Sequence, residues 1–196
     1  KHKKFALHDD LEKYFKNNIH GATIIECRSG EDKQTIVPGS VIGGEKIEWK
    51  VFEGISPYPG NLFKDISKVA FATALSILYP KTGNRDDYVY AIACILARHT
   101  KWKDWEIDEF ILHLAEYSGD EEARKNKGTH AYKQMANGGR LMGFNTIKEL
   151  LGLSDAQSIF NIFQWVGVNP PNRALEELKK RIIFIEDSSS LFDVIT

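Results

Sequence analysis

The stretch Ser56-Pro57-Tyr58-Pro59-Gly60 limits what this chain can become more than any other. Its two prolines fix φ and remove backbone donors, so neither a helix nor a paired strand continues through it. The residue patterns on its two sides have different periods. Before it, Gly21 opens Ala22-Thr23-Ile24-Ile25-Glu26-Cys27, a β-branched run that reads as a strand. Gln34-Thr35-Ile36-Val37 reads as a second strand, stopped by Pro38-Gly39. Lys46-Ile47-Glu48-Trp49-Lys50-Val51 alternates polar and apolar residues, as a half-buried third strand does. Asp9 to Phe15 suits a short helix.

After the prolines the spacing becomes three and four. It predicts helices over Asn61–Leu78, Arg85–His99 capped by Asn84, Trp105–Tyr117 capped by Asp104, Asp120–Asn137 ending at Gly138-Gly139, Asn145–Leu151 and Ser154–Trp165. Arg181–Ile185 and Leu191–Ile195 then return to strand patterns. The expected fold class is α+β. A small β-rich unit covers residues 1–55, a linker 56–60, an α-helical bundle 61–152, and a helical connector with a short β tail 153–196.

Composition excludes several classes. Two cysteines among 196 residues cannot build a disulfide framework or a four-thiolate zinc site, and they point to a reducing, cytoplasmic setting. A net charge of −1 advertises no overall attraction to nucleic acid, so such binding needs a local patch. The longest apolar runs are too interrupted to span a bilayer, so no membrane partner is expected. Lys1-His2-Lys3-Lys4 lacks the apolar region of a signal peptide and no methionine begins the chain, so a start within a longer polypeptide is expected.

Few residues carry an obvious chemistry. The six histidines stand at 2, 8, 20, 99, 113 and 130, without the paired spacing of a zinc protease, and packing or surface roles suit them. Gly39-Ser40-Val41-Ile42-Gly43-Gly44-Glu45 lacks the Gly-Lys-Ser/Thr end of a phosphate loop and reads as a hairpin turn. No serine sits in a nucleophile elbow. Glu26, at the end of a strand beside Cys27 and Arg28, has two readings. A carboxylate there can ligate Mg2+ or Mn2+, because hard cations take oxygen donors. Simple alternation instead turns it to solvent, and the pattern alone favours that.

Ile25-Glu26-Cys27-Arg28-Ser29-Gly30, then Gln34 to Ser40, then Glu45-Lys46-Ile47-Glu48-Trp49 resembles the closing part of a primase-polymerase domain. The family is the phage and plasmid branch of the archaeo-eukaryotic primases. The resemblance implies that Glu26 is a catalytic, metal-binding carboxylate of the third motif, with Arg28 near the nucleotide. It also implies that His2 belongs to the second, Ser-x-His motif that holds the incoming nucleotide's phosphates. The serine and the first motif's carboxylate pair would lie before Lys1, so the chain is expected to be inactive alone. Where relatives have a second proline in the turn, this chain has Gly39.

Thr82-Gly83-Asn84-Arg85-Asp86-Asp87, the alanine-rich helix through Ala97, Thr129-His130-Ala131-Tyr132, and Met142-Gly143-Phe144 are similar to the helix-bundle domain that follows such polymerases. In relatives that bundle engages template and initiating nucleotide. The strands near the end resemble the lead-in to a superfamily 3-type helicase. The resemblance therefore implies a replicative DNA primase-polymerase segment using nucleoside triphosphates, single-stranded DNA and Mg2+ or Mn2+, with a helicase domain on the same polypeptide.

Lys81 to Arg140 holds ten basic and ten acidic residues, so only local grouping can attract nucleic acid. Arg98, Lys101, Trp102 and Lys103 combine cations with an aromatic that can stack on a base, and Arg124, Lys125, Lys127, Lys133 and Arg140 with Tyr132 form a second stretch. Arg85 joins them by its place in the resembling motif. Equally ordinary alternatives are a core role for the tryptophans and a solvated face for the charges. A non-catalytic DNA-binding or docking module of a replication protein is the second reading of the whole chain.

Overall fold

The structure is a computed structural model and describes residues 3–7, 11, 14, 23–27, 38–48, 57–120, 122, 124–169, 182–185 and 190–193. The chain is α+β and mostly helical. Helix α1, Leu62–Ile77, begins where predicted: the Asn61 side chain accepts the Lys64 N–H at 3.1 Å. Its apolar stripe buries Ala70, Phe71, Ala74 and Leu75, and the chain leaves it at Leu78 before Pro80.

Helix α2, Arg85–His99, lies at the centre. Tyr88, Val89 and every residue from Ala91 to Ala97 are buried, as befits a helix enclosed on all sides. It packs against the helices that follow it, and the Tyr88 hydroxyl ties it to α1 by donating to the Leu75 carbonyl at 3.0 Å. Asn84 precedes α2 as predicted, but it does not cap through its side chain. Its backbone is left-handed (φ +50°), whereas a capping side chain faces the first amides from an extended backbone.

Helix α3 spans Asp104–Tyr117, with Lys103 rather than Asp104 at the capping position. The Glu106 carboxylate accepts the Lys103 N–H at 2.7 Å, and Asp104 accepts the Trp105 N–H at 2.9 Å. At the far end Gly119 turns left-handed (φ +72°), and the Asp120 N–H returns to the Ala115 carbonyl at 2.9 Å. Asp120 therefore closes α3, although the sequence places it at the start of the next helix. That helix, α4, is shorter than predicted, Lys127–Ala136. Its first amides are satisfied from a neighbour: Asp108 of α3 accepts from Gly128 N–H at 2.6 Å and from the Thr129 hydroxyl at 2.6 Å. Helix α4 ends at the predicted Gly138-Gly139 turn, where the Gly139 N–H reaches the Gln134 carbonyl at 2.9 Å. Helices α5, Phe144–Leu150, and α6, Gln157–Gln164, lie within a few residues of their predicted spans.

Among the described residues three two-stranded antiparallel sheets accompany the helices. In the first, β1 (Lys3–Ala6) pairs with β2 (Thr23–Cys27), setting Lys4 opposite Glu26 and Phe5 opposite Ile25. The second, β3 (Val41–Ile42) with β4 (Glu45–Lys46), turns through Gly43 and Gly44 at φ +59° and +87°, so the glycine-rich run is the hairpin it resembles. The third pairs β5 (Ile182–Ile185) with β6 (Ser190–Asp193), as the tail pattern predicts. Strand β1 has no counterpart in the sequence reading. The strand predicted over 34–37, the end of the one over 46–51 and most of the helix predicted over 9–15 lie outside the described residues.

Among the described residues one hydrophobic cluster joins the helices to the segments around β1 and β2. Phe71, Leu75, Tyr88, Ile92, Ile107, Ile111 and Phe163 are fully buried in it, and each side chain of that size contributes about 1.5–3 kcal/mol by leaving water. Leu7 and Leu11 enter the same cluster from before the proline stretch, and Ile159 and Val168 from beyond residue 152. Packing thus continues across both sequence divisions. The Phe5 ring meets Trp165 edge-on at 5.3 Å, and the Tyr14 hydroxyl donates to the Leu151 carbonyl at 2.7 Å.

Candidate nucleic-acid interface

The bundle's charges are distributed unequally between its ends. At the N-terminal end of α2, the carboxylate of Asp120 is completely enclosed and accepts from three side chains: Tyr79 at 2.7 Å, Arg124 at 2.8 Å and Arg85 at 3.2 Å. Arg124 also reaches Asp86 at 3.2 Å, which in turn holds Lys127 at 2.5 Å. Arg85 additionally donates to the carbonyls of Pro80 and Lys81, fastening the chain that leaves α1. Burial alone would raise the Asp120 carboxyl, but the hydrogen bonds and charge of Arg124, with the Tyr79 hydroxyl, hold it down at about 2. Burial first, then Asp120, pushes the Tyr79 phenol well above its usual range. Two sequence-predicted cations, Arg85 and Arg124, are therefore committed to internal partners.

At the C-terminal end of α2 the arrangement is reversed. Arg98, on the last turn of α2, and Arg140, just past α4, come together on a cleft of about 730 Å³. Leu141, Met142, Gly143, Phe144, Asn145 and Thr146 also line it, and among the described residues its lining contains no carboxylate. Both arginines are exposed, and among the described residues neither has an ion-pair partner. Lys101 and Lys103 are exposed on the connection from α2 to α3, beside the half-buried Trp102. The Trp102 ring stands edge-on to Phe110 at 5.4 Å, and the ammonium of Lys68 lies 5.4 Å from its centre. Tyr132 approaches from α4 and donates to the Trp102 carbonyl at 2.6 Å, so its hydroxyl positions this connection. Lys133 is exposed on α4.

An aromatic chain joins the cleft to Trp102. Phe144 contacts Phe163 at 5.3 Å, Phe163 contacts Phe71 at 5.0 Å, and Phe71 stacks on Phe110 at 5.4 Å. Phe71 and Phe163 are fully buried, so this seam ties the two cationic ends to one core, and its partly exposed members Phe144, Phe110 and Trp102 are the ones that offer ring surface to a base.

Glu26 is exposed on β2 opposite Lys4. Among the described residues no group of three or more His, Cys, Asp or Glu side chains could hold a metal ion. Glu26 by itself offers fewer donors than Mg2+ or Mn2+ takes, so the described residues do not fit a complete metal site. His2 and Arg28 lie outside the described residues. The sequence reading does not single out Lys3, Lys64, Lys68 or Trp165, which stand near Trp102. The one local signal for them is the pair of lysines a helical turn apart on α1.

No helix among the described residues is long and apolar enough to cross a membrane. Comparison with family models, with curated proteins and with solved structures gives no significant match.

Proposed function

We propose that the chain is a segment of a replicative DNA primase-polymerase whose helix bundle engages single-stranded template. The observation that carries this reading is the meeting of Arg98 and Arg140 on a cleft whose described lining holds no carboxylate, joined through the core aromatics to Trp102, Lys101 and Lys103. The sequence resemblance supplies the enzymatic context. Catalysis belongs to the complete enzyme acting in the cytoplasm, with Glu26 as one ligand for Mg2+ or Mn2+, His2 and Arg28 toward the nucleoside triphosphate, and a helicase domain on the same polypeptide. The bundle holds template and initiating nucleotide in register with that site.

Two measurements test the proposal. The chain binds fluorescein-labelled oligo(dT) with an affinity that falls as salt rises, and absence of binding sinks the template role. In the complete replication protein, Glu26→Ala abolishes primer synthesis, and undiminished synthesis removes Glu26 from the catalytic site.

A docking role has one observation in its favour. Val69, Ile77, Phe110, Leu114 and Tyr117 line an apolar groove of about 510 Å³ between α1 and α3, with Tyr117 90% exposed. Co-purification of a replication partner that is lost in Val69→Asp, with oligo(dT) binding intact, marks the groove as a second function.

A further inference from the structure

A second basic cleft, of about 380 Å³, lies where β1 meets the bundle. Lys3 of β1, Lys64 and Lys68 of α1, Trp102 and Trp165 line it, and among the described residues its lining contains no Asp or Glu. Four elements distant in sequence converge there, held by contacts that leave the cations facing the cleft. The Lys3 ammonium donates to the Ser67 hydroxyl at 3.0 Å, and Lys68 stands over Trp102. Trp165 is fixed by Phe5. Among the described residues none of the three lysines has a carboxylate within ion-pair distance.

Three neighbouring ammonium groups repel one another, and among the described residues no carboxylate pairs with them. An anionic ligand does. The two tryptophans add flat apolar surface, so the ligand that matches the cleft carries both phosphate and a planar base. The volume is at the lower end for small-ligand sites and suits one nucleotide unit rather than a duplex.

We infer that the Lys3–Lys64–Lys68–Trp102–Trp165 cleft is a nucleotide-unit site that continues the single-strand path from the Arg98–Arg140 cleft and places the strand between the β1–β2 pair and the bundle. This rests on the template-binding reading above and adds the route and the residues. Trp102 is the link, because it lines this cleft, carries Lys68 over its ring and stands between the exposed Lys101 and Lys103. The lysines neutralise backbone phosphates, and Trp165 and Trp102 stack on bases.

The test uses the 196-residue chain, fluorescein-labelled oligo(dT), free dTTP and a salt titration. Lys64→Ala with Lys68→Ala is expected to weaken oligo(dT) binding about fivefold to tenfold and to lower the salt slope by about 1.4, since each cation on a single strand contributes about 0.7. Lys64→Glu, which changes only an exposed side chain, is expected to weaken binding with an unchanged thermal midpoint. Quenching of tryptophan fluorescence by oligo(dT) is expected to fall in Trp165→Phe. If Lys64 and Lys68 variants keep the parental affinity and slope while Arg98→Ala with Arg140→Ala loses both, this cleft is not on the path and the template reading survives. If the parental chain binds no oligo(dT), both fall together. If dTTP binds the cleft and oligo(dT) does not compete with it, the site takes free nucleotide and the continuous path is overturned.

Discussion

The two ends of α2, about 20 Å apart, handle the same residue type in opposite ways. Arg85 at the first turn gives its guanidinium to Asp120 and to two carbonyls, and Arg124 beside it is buried in the same network. Arg98 at the last turn faces a cleft with no acid in its lining. A charge enclosed with its counter-charge fixes how α1, α2 and the end of α3 meet. A charge left exposed without one adds little to stability, but it is ready for an anionic ligand. Near-zero net charge conceals this division, because it sums the paired end with the unpaired one.

Breaking the paired end has the largest expected effect. Asp120→Ala removes the acceptor of Tyr79, Arg85 and Arg124 at once and leaves the buried Arg124 only its more exposed partners, Asp86 and Glu122. The expected loss is about 3–5 kcal/mol, read as a lower denaturant midpoint. A loss below about 1 kcal/mol would show that water replaces the carboxylate and that the network is not structural.

Acid tests the same end more gently. The folded carboxyl, at about 2, lies below its ordinary 3.8, so the unfolded state binds the proton more readily. The stability from this group is fully present above about pH 4 and is lost as pH falls toward about 2, amounting to about 2 kcal/mol. Urea unfolding of the parent and of Asp120→Asn, followed through that window, should show the gap between them narrowing as pH falls.

At the unpaired end the expected effects move from stability to binding. Arg98→Ala with Arg140→Ala should shift the unfolding midpoint by less than about 0.5 kcal/mol. Fluorescence anisotropy should record about a tenfold weaker complex with oligo(dT), close to 1.4 kcal/mol. Arg85→Ala should do the opposite, lowering stability while leaving the salt slope of binding in place. An exchange of these outcomes would abolish the distinction between the ends. Smallest of all, Lys101→Ala and Lys103→Ala should each reduce the salt slope by about 0.7 without a measurable change in stability.

Some of this was legible in the residues alone. Apolar spacing located α1 and α2, Gly43-Gly44 marked the hairpin, and Gly138-Gly139 marked the end of α4. Asp120 misleads because Ser-Gly-Asp can end one helix or begin the next, and Gly119 closing α3 decides between them. The grouping of Arg98 with Lys101, Trp102 and Lys103 was readable because these residues are neighbours in the chain. Lys3, Lys64 and Trp165 are not, so nothing local announces that they share a cleft.

The sequence by itself determined the α+β class, most helix positions, some of the strands and the supply of cations and aromatics, because periodicity, turn residues and composition act over a few neighbours. Only the tertiary structure decided which arginines are paired with a carboxylate and which are not, and that β1 and α6 close the same core. Pairing a charge depends on what a distant segment brings within hydrogen-bonding reach, and burial depends on which faces meet. Arg85 and Arg98 stand at opposite ends of one helix; Asp120, brought beside the first alone, makes one a fastening and leaves the other a candidate contact for DNA.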